Sequence, residues 1–155
     1  MDFYHAPGSS SLATYIMLLE ADLSFRTHQI DIASHTLPDG SSYFRINPNG
    51  YVPALVLDDG SLLTEGAALL DWAAGRADAW PTGEMGRTRQ LQLLAFLSTE
   101  IHKPFIPLFF AEDEKEQDRI KQALESRFSW ISERVEGDYL FGDHFSAADA
   151  MLYVV

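Results

Sequence analysis

Three consecutive hydroxyls, Ser9, Ser10 and Ser11, follow Pro7-Gly8 where a short apolar strand hands over to a helix. A helix start exposes unpaired N–H groups and the positive end of its dipole. Hydroxyls placed there either cap the helix or point at an anion. Two further stretches lie downstream, Asn47-Pro48-Asn49-Gly50-Tyr51-Val52-Pro53-Ala54 and Thr64-Glu65-Gly66. Pro53 reads as a proline that begins a strand after a turn. Glu65 reads as an acidic residue at a helix start, where it contributes about 0.3–1 kcal/mol. On a later helix, His102-Lys103 is either a cationic pair facing a cleft or a solvated surface pair. His5, His28 and His144 share no metal-ligand spacing and read as surface or packing residues, so no metal site is expected.

The elements that must position these groups change character along the chain. Phe3 to His5 and Ser24 to Ile32 read as strands. Ser11 to Ala21 reads as a helix with Leu12, Tyr15, Ile16, Leu18 and Leu19 on its apolar stripe. A short helix is expected around Tyr43. Residues 54–57 and 62–63 flank Asp58-Asp59-Gly60-Ser61 as a β-hairpin, and Gly66 to Gly75 is helical. The order β-α-β-α-β-β-α implies an α/β layer with a mixed sheet. Residues 78–83 break the pattern as a linker. Beyond them the period is helical, with Leu97, Ile101 and Phe105 in one run and Ile120, Leu124, Phe128, Ile131 and Val135 in the next. Ser146 and Asp149 form a capping box for a last helix. That helix reaches Val155 with no C-cap signal, which predicts that the natural protein continues.

Bulk properties exclude several function classes. The 155 residues carry 11 Lys and Arg against 23 Asp and Glu, a net charge of −12. Such a chain is a poor partner for nucleic acid or an anionic membrane. The longest apolar runs, residues 52–57 and 106–111, fall short of a membrane span, and no signal peptide opens the chain. The absence of cysteine removes disulfides and any thiol chemistry of the protein's own, and it is compatible with the cytoplasm.

Five stretches taken together resemble a glutathione transferase, and most closely the bacterial beta class. They are residues 7–13, residues 47–55, Leu63-Thr64-Glu65-Gly66, Ser98-Thr99-Glu100-Ile101-His102-Lys103, and residues 142–149. The resemblance covers the chain from Asp2 to Val155, without the family's closing helices. It implies a glutathione-binding thioredoxin-like N-terminal domain (1–78), a linker (79–84) and an all-α C-terminal domain (85–155) that is incomplete at its end. It further implies a cis Val52–Pro53 peptide, with the Val52 backbone free to pair with a peptide ligand like an added strand. Glu65 would take the glutathione ammonium and the Gly66 N–H its α-carboxylate, with Tyr51, Val52 and Pro53 completing the groove. His35 stands where the family often has a lysine for the glycine carboxylate, and Ala95 where it often has an asparagine.

Ser10 is the main departure, since the beta class usually carries cysteine there. Other classes use a serine near this helix to hydrogen-bond the glutathione sulfur, so Ser10, or else Ser9 or Ser11, is the expected catalytic hydroxyl. His102 is expected to act in thiolate electrostatics, and Tyr4, His5 and Lys103 to line the pocket for a second substrate. The implied activity is conjugation of reduced glutathione to electrophilic hydrophobic molecules by a cytoplasmic homodimer, with glutathione as co-substrate and no other cofactor. The rival is a catalytically silent binding or structural module of the same fold. A glutaredoxin-like oxidoreductase is excluded by the missing cysteine, and no Gly-x-Gly-x-x-Gly supports a dehydrogenase.

Overall fold

β1 (Asp2–His5) carries two adjacent large side chains, Phe3 and Tyr4, that are both buried, as only a central strand with two covered faces allows. In the computed structural model, which describes residues 1–135 and 137–155, β1 lies inside a four-stranded sheet. The order is β2 (Arg26–Gln29), β1, β3 (Ala54–Val56), β4 (Leu62–Thr64). β2 runs parallel to β1, whereas β3 is antiparallel to both β1 and β4. A parallel neighbour requires a crossover, and α1 (Ser11–Glu20) supplies it. α2 (Gly66–Ala74) follows β4 and packs against α1. The short helix expected near Tyr43 is a single 3-10 turn, Tyr43–Arg45. The second strand is shorter than the sequence suggests, because only Arg26–Gln29 pairs in register with β1.

α1 corrects the expected stripe. Ser11, Ala13, Thr14, Met17 and Leu18 are its buried residues, whereas Leu12 and Leu19 are 45% and 55% exposed. Small side chains on the inner face let the helix approach its neighbours closely. That leaves Leu12, Tyr15, Ile16 and Leu19, spaced i, i+3, i+4, i+7, as a second and more open apolar face.

The chain divides into two units, Met1–Asp78 with Val154 and Ala79–Tyr153 with Val155. The second is helical: α3 (Gly86–Phe96), α4 (Lys103–Phe110), α5 (Glu114–Ser132) and α6 (Ala147–Val154). Leu97–His102 joins α3 to α4 as a π-helical segment. Its cause is legible in the sequence. Pro104 and Pro107 have no N–H for the carbonyls of Glu100 and Lys103, so the ladder re-registers around them. The hydroxyls of Ser98 and Thr99 also bond back to Leu94 and Ala95 carbonyls at 2.8 and 3.0 Å, which favours a bend. The joined stretch Gly86–Phe110 spans 25 residues with a hydropathy of 1.2 in its most apolar window. By length and composition alone it is long and apolar enough to cross a membrane, although no single apolar run in the sequence is. Its Gln90, Leu94, Leu97 and Ile101 are buried, although only 17% of that window is.

Candidate functional site

Sheet register gathers the first unit's candidate groups at one end. His5 pairs with Gln29, Tyr4 with Ala54, and Ala54 with Thr64. These residues form two adjacent rows at one end of the sheet, and every candidate is a few residues from them. Ser9–Ser11 follow His5, His35 follows Gln29, Tyr51–Pro53 precede Ala54, and Glu65–Gly66 follow Thr64. α1 and α2 both begin at this end, so the positive ends of both dipoles point to it.

The three serines are not equivalent. The Ser9 hydroxyl donates to the Ala6 carbonyl at 2.8 Å and meets the Ser11 hydroxyl at 2.6 Å. It also accepts from the Ser11 N–H at 3.3 Å, so Ser9 supplies the capping interaction. Ser11 is fully buried, and its hydroxyl bonds both the carbonyl and the N–H of Ala6 at 3.3 Å. Ser11 is therefore part of the loop's internal scaffold. Ser10 occupies the N-cap position, yet its side chain makes no capping bond and is partly exposed. Among the described residues its hydroxyl has no partner.

Residues 47–53 are held from behind. Asn47 is 2% exposed, and its Nδ2 donates to the Tyr51 carbonyl at 2.8 Å while its Oδ1 accepts from the Asn49 N–H at 3.1 Å. The fully buried Tyr43 hydroxyl donates to the same Tyr51 carbonyl at 2.9 Å, and burial pushes its pKa up to about 12. Gly50 has φ +73°, and a Cβ there would meet Phe44 at 2.8 Å and His35 Nδ1 at 3.0 Å. Only glycine serves at that point, because both the backbone angle and the ring packing exclude a side chain. His35 Nδ1 donates to the Gly50 carbonyl at 3.2 Å, and its ring packs on Phe44. The Val52–Pro53 peptide is cis, the Tyr51 side chain is 73% exposed, and the Val52 N–H and C=O make no hydrogen bond among the described residues.

Glu65 has φ +68° and ψ +115°, an unusual conformation for a non-glycine residue. Such backbone geometry persists where the surroundings over-determine it, and functional sites are enriched in it. Its side chain makes no cap bond and is exposed, which leaves the carboxylate accessible. Gly66 stands next to Pro53, whose Cγ and Cδ lie 4.0 Å from the position of a Cβ on Gly66.

Other sequence candidates fall elsewhere. Tyr4 is 8% exposed, stacked on His28 and packed on Tyr43. It is a member of the buried core. His5 is half-buried, stacked on Phe3, and held below the usual histidine pKa by burial and then by the nearby His28. It borders a cavity of about 400 Å³ with Pro7, Leu12, Tyr15 and Thr27. A second cavity, of about 660 Å³, opens between Pro7, Ile30, Asp31, Thr36 and Leu37. Both volumes suit a small ligand. In the helical unit His102 is half-buried, and burial lowers its pKa, so at neutral pH it is an uncharged hydrogen-bonding group. Lys103 is exposed.

Three positioning groups are absent from the sequence-based expectations: Tyr43, Asn47 and the Ala6 carbonyl. The Asn-Pro-Asn-Gly turn chemistry could have pointed to Asn47. Nothing local announces that an alanine carbonyl organises two serines. Among the described residues no three His, Cys, Asp or Glu side chains gather as a metal site.

The comparisons agree with this geometry. The glutathione S-transferase N-terminal domain family matches residues 9–76, and the C-terminal domain family matches residues 99–155. Glutathione S-transferase GstA of Escherichia coli O157:H7 is 35% identical over 161 residues, covering 100% of this chain and 80% of the relative. Glutathione S-transferase GST-4.5 of Xanthomonas campestris is 32% identical, covering 99% and 80%. A ternary complex of BphK, a bacterial GST, superposes with a TM-score of 0.91 at 39% identity, covering 99% of this chain and 80% of that one. A sphingomonad glutathione S-transferase complexed with glutathione superposes with a TM-score of 0.89 at 34% identity, with the same coverage.

Proposed function

The chain belongs to the glutathione S-transferase family, and we propose that it binds reduced glutathione along the row of strand ends and conjugates it through a thiolate held by Ser10. The observation that carries this reading is the convergence of Ser10, the Val52 backbone, Glu65 and Gly66 at one end of the sheet, with the Ser10 hydroxyl left unengaged. We assign residues 1–78 to the glutathione-binding domain, 79–84 to a linker and 85–155 to the helical domain.

The energetics suffice. A free thiol has a pKa of about 8.5, and lowering it by about 2 units needs roughly 2.7 kcal/mol of preference for the anion. One hydrogen bond to a charged group gives about 1.5–3 kcal/mol, and a helix N-terminus adds about 1 kcal/mol. Ser10 and the α1 terminus therefore replace the beta-class cysteine by stabilising the ligand's own sulfur. The Glu65 carboxylate takes the ammonium, the Gly66 N–H takes the α-carboxylate, and the free Val52 N–H and C=O pair with the peptide backbone. His35 already donates through Nδ1, so its Nε2 can donate to the glycine carboxylate only when the ring carries both protons. The thiolate then forms an S–C bond to an apolar electrophile, whose leaving group departs with the bonding electron pair. His5 and Lys103 are assigned to that second substrate, and the neutral His102 to hydrogen bonding rather than to charge. A homodimer in the cytoplasm completes the reading; the lack of cysteine is compatible with that compartment.

The test is the ultraviolet absorbance of bound glutathione thiolate against pH, together with conjugation of an aryl halide, in wild type and Ser10→Ala. The variant is expected to keep glutathione and to lose about 10- to 100-fold in turnover, the worth of one charge-assisted hydrogen bond. Identical thiolate curves would remove Ser10 from the mechanism. Glutathione retention without any conjugation by wild type would mark a silent binder.

A further inference from the structure

Free glutathione offers His35 a carboxylate, and a neutral histidine held as this one is meets a carboxylate with the wrong atom. Neutral imidazole has one N–H and one bare lone pair. Nδ1 of His35 lies 3.2 Å from the Gly50 carbonyl, which can only accept, so Nδ1 carries the single proton of the neutral ring. Turning the ring over would leave the carbonyl of the buried Gly50 without a partner among the described residues. The ring also packs on Phe44, with centroids 4.7 Å apart. The backbone is pinned as well: φ is +52°, and the His35 carbonyl accepts from the Tyr43 N–H at 2.8 Å. Nε2 is the nitrogen left over. It has no partner among the described residues, and in the neutral ring it is an acceptor.

Charge around the turn points the same way. Between Arg26 and Arg76 the sequence carries one Lys or Arg, the exposed Arg45, which has no ion-pair partner among the described residues. Phe44, Gly50 and the phenol of Tyr43, the groups that touch His35, are uncharged. The charged neighbour is Asp31. Its backbone is bridged to Thr36, the residue after His35, by hydrogen bonds of 3.0 and 3.3 Å. Ser34 first and Ala33 next hold its carboxyl below the usual carboxylate range, and the charge on His35 adds to this last. Asp31 is also the one charged residue, among those described, that lines the cavity of about 660 Å³ beside this turn. A free glycine carboxylate would therefore face a lone pair and a second carboxylate. A C-terminal amide would give Nε2 an N–H and bring no charge.

Resting on the assignment of the glycine end to His35, we propose that this residue makes the site prefer a C-terminally amidated glutathione to the free acid at neutral and alkaline pH, and that the doubly protonated ring reverses the order in mild acid. The test is calorimetric titration of the full chain with S-methylglutathione and with its glycinamide, at about pH 8 and about pH 5.5, near the two ends of the range in which imidazole charges. The S-methyl group removes titration of the sulfur, and the shared γ-glutamyl end divides out of the ratio of the two affinities. At the higher pH the amide should bind about threefold more tightly, the worth of one neutral hydrogen bond. At the lower pH the free acid should gain about tenfold on it, the scale of a hydrogen bond to a charged group. His35→Asn keeps a residue type that tolerates positive φ and cannot titrate, so its ratio should not move with pH, with the thermal midpoint read alongside. A pH-independent ratio in wild type would overturn the proposal, as would a ratio that still moves in a folded His35→Asn. Preference for the free acid at both pH values would also overturn it, and loss of that preference in Arg45→Gln would hand the carboxylate to Arg45. Failure of both tripeptides to bind at either pH would instead overturn the glutathione reading itself.

Discussion

The Met1–Asp78 unit offers a ligand mostly backbone, whereas the Ala79–Tyr153 unit offers it side chains. In the first, strand register and two helix starts aim N–H groups, and one free hydroxyl and one carboxylate complete the set. In the second, α4 has no buried residue, Phe109 and Phe110 are 81% and 79% exposed, and the buried Gln90 amide finds no partner among the described residues. A backbone site tolerates change in the side chains around it, so its chemistry can pass from cysteine to serine without a new fold. A side-chain surface has no such anchor, and its specificity changes with each substitution.

The sharpest way to break the contrast is at a polar cluster that holds the start of α6 in the helical unit. Asp149 accepts from the Ser146 N–H at 2.8 Å, the Ser146 hydroxyl at 2.6 Å and the Leu140 N–H at 2.8 Å. Asp149→Ala removes the cap and strands buried donors, so it should cost about 2–4 kcal/mol in urea denaturation. A loss below about 0.5 kcal/mol, the level of an ordinary surface change, would mean that apolar packing alone sets α6.

Glu65→Gly sharpens the comparison from the other side. Glycine relaxes the positive φ and should raise stability by about 1 kcal/mol, while glutathione affinity falls by about tenfold or more. Parallel losses of stability and affinity would instead make Glu65 a structural residue. In the helical unit Gln90→Leu is the counterpart. Replacing an unpaired buried amide should add about 1 kcal/mol with no change in glutathione binding, read from the thermal midpoint and a glutathione titration.

The same difference explains what could be read from the chain alone. Strand and helix order in residues 1–77 and the start of α6 were legible because hairpin, turn and cap signals are local, as at Asp59-Gly60 and Ser146-Asp149. The buried face of α1 was not, because two apolar stripes run along it and only tertiary packing chooses between them. The burial of Tyr4 was not legible either, because a tyrosine at a strand end looks amphipathic until both sheet faces are seen to be covered. The choice among three serines needed coordinates, since it turns on the Ala6 carbonyl.

Acid should separate the units by the smallest of these effects. Burial holds the His102 pKa below the usual value of about 6.5, so its neutral form is favoured in the folded state. The unfolded chain then binds more protons below that value, and stability must fall as pH drops toward the folded pKa. The contribution is whole above about pH 6.5 and lost below the depressed value. His5 in the first unit carries the same sign, from burial first and the charge on His28 second. Asp2, lowered mainly by its hydrogen bond from Arg26 and then by His28, keeps its contribution until pH falls below about 3.9. Urea midpoints between neutral and mildly acid pH should therefore decline in wild type. His102→Asn should flatten the decline in the helical unit and His5→Asn in the sheet unit. If His102→Asn leaves the slope unchanged, the half-buried ring is protonated without cost, and its assignment as a neutral hydrogen-bonding group fails.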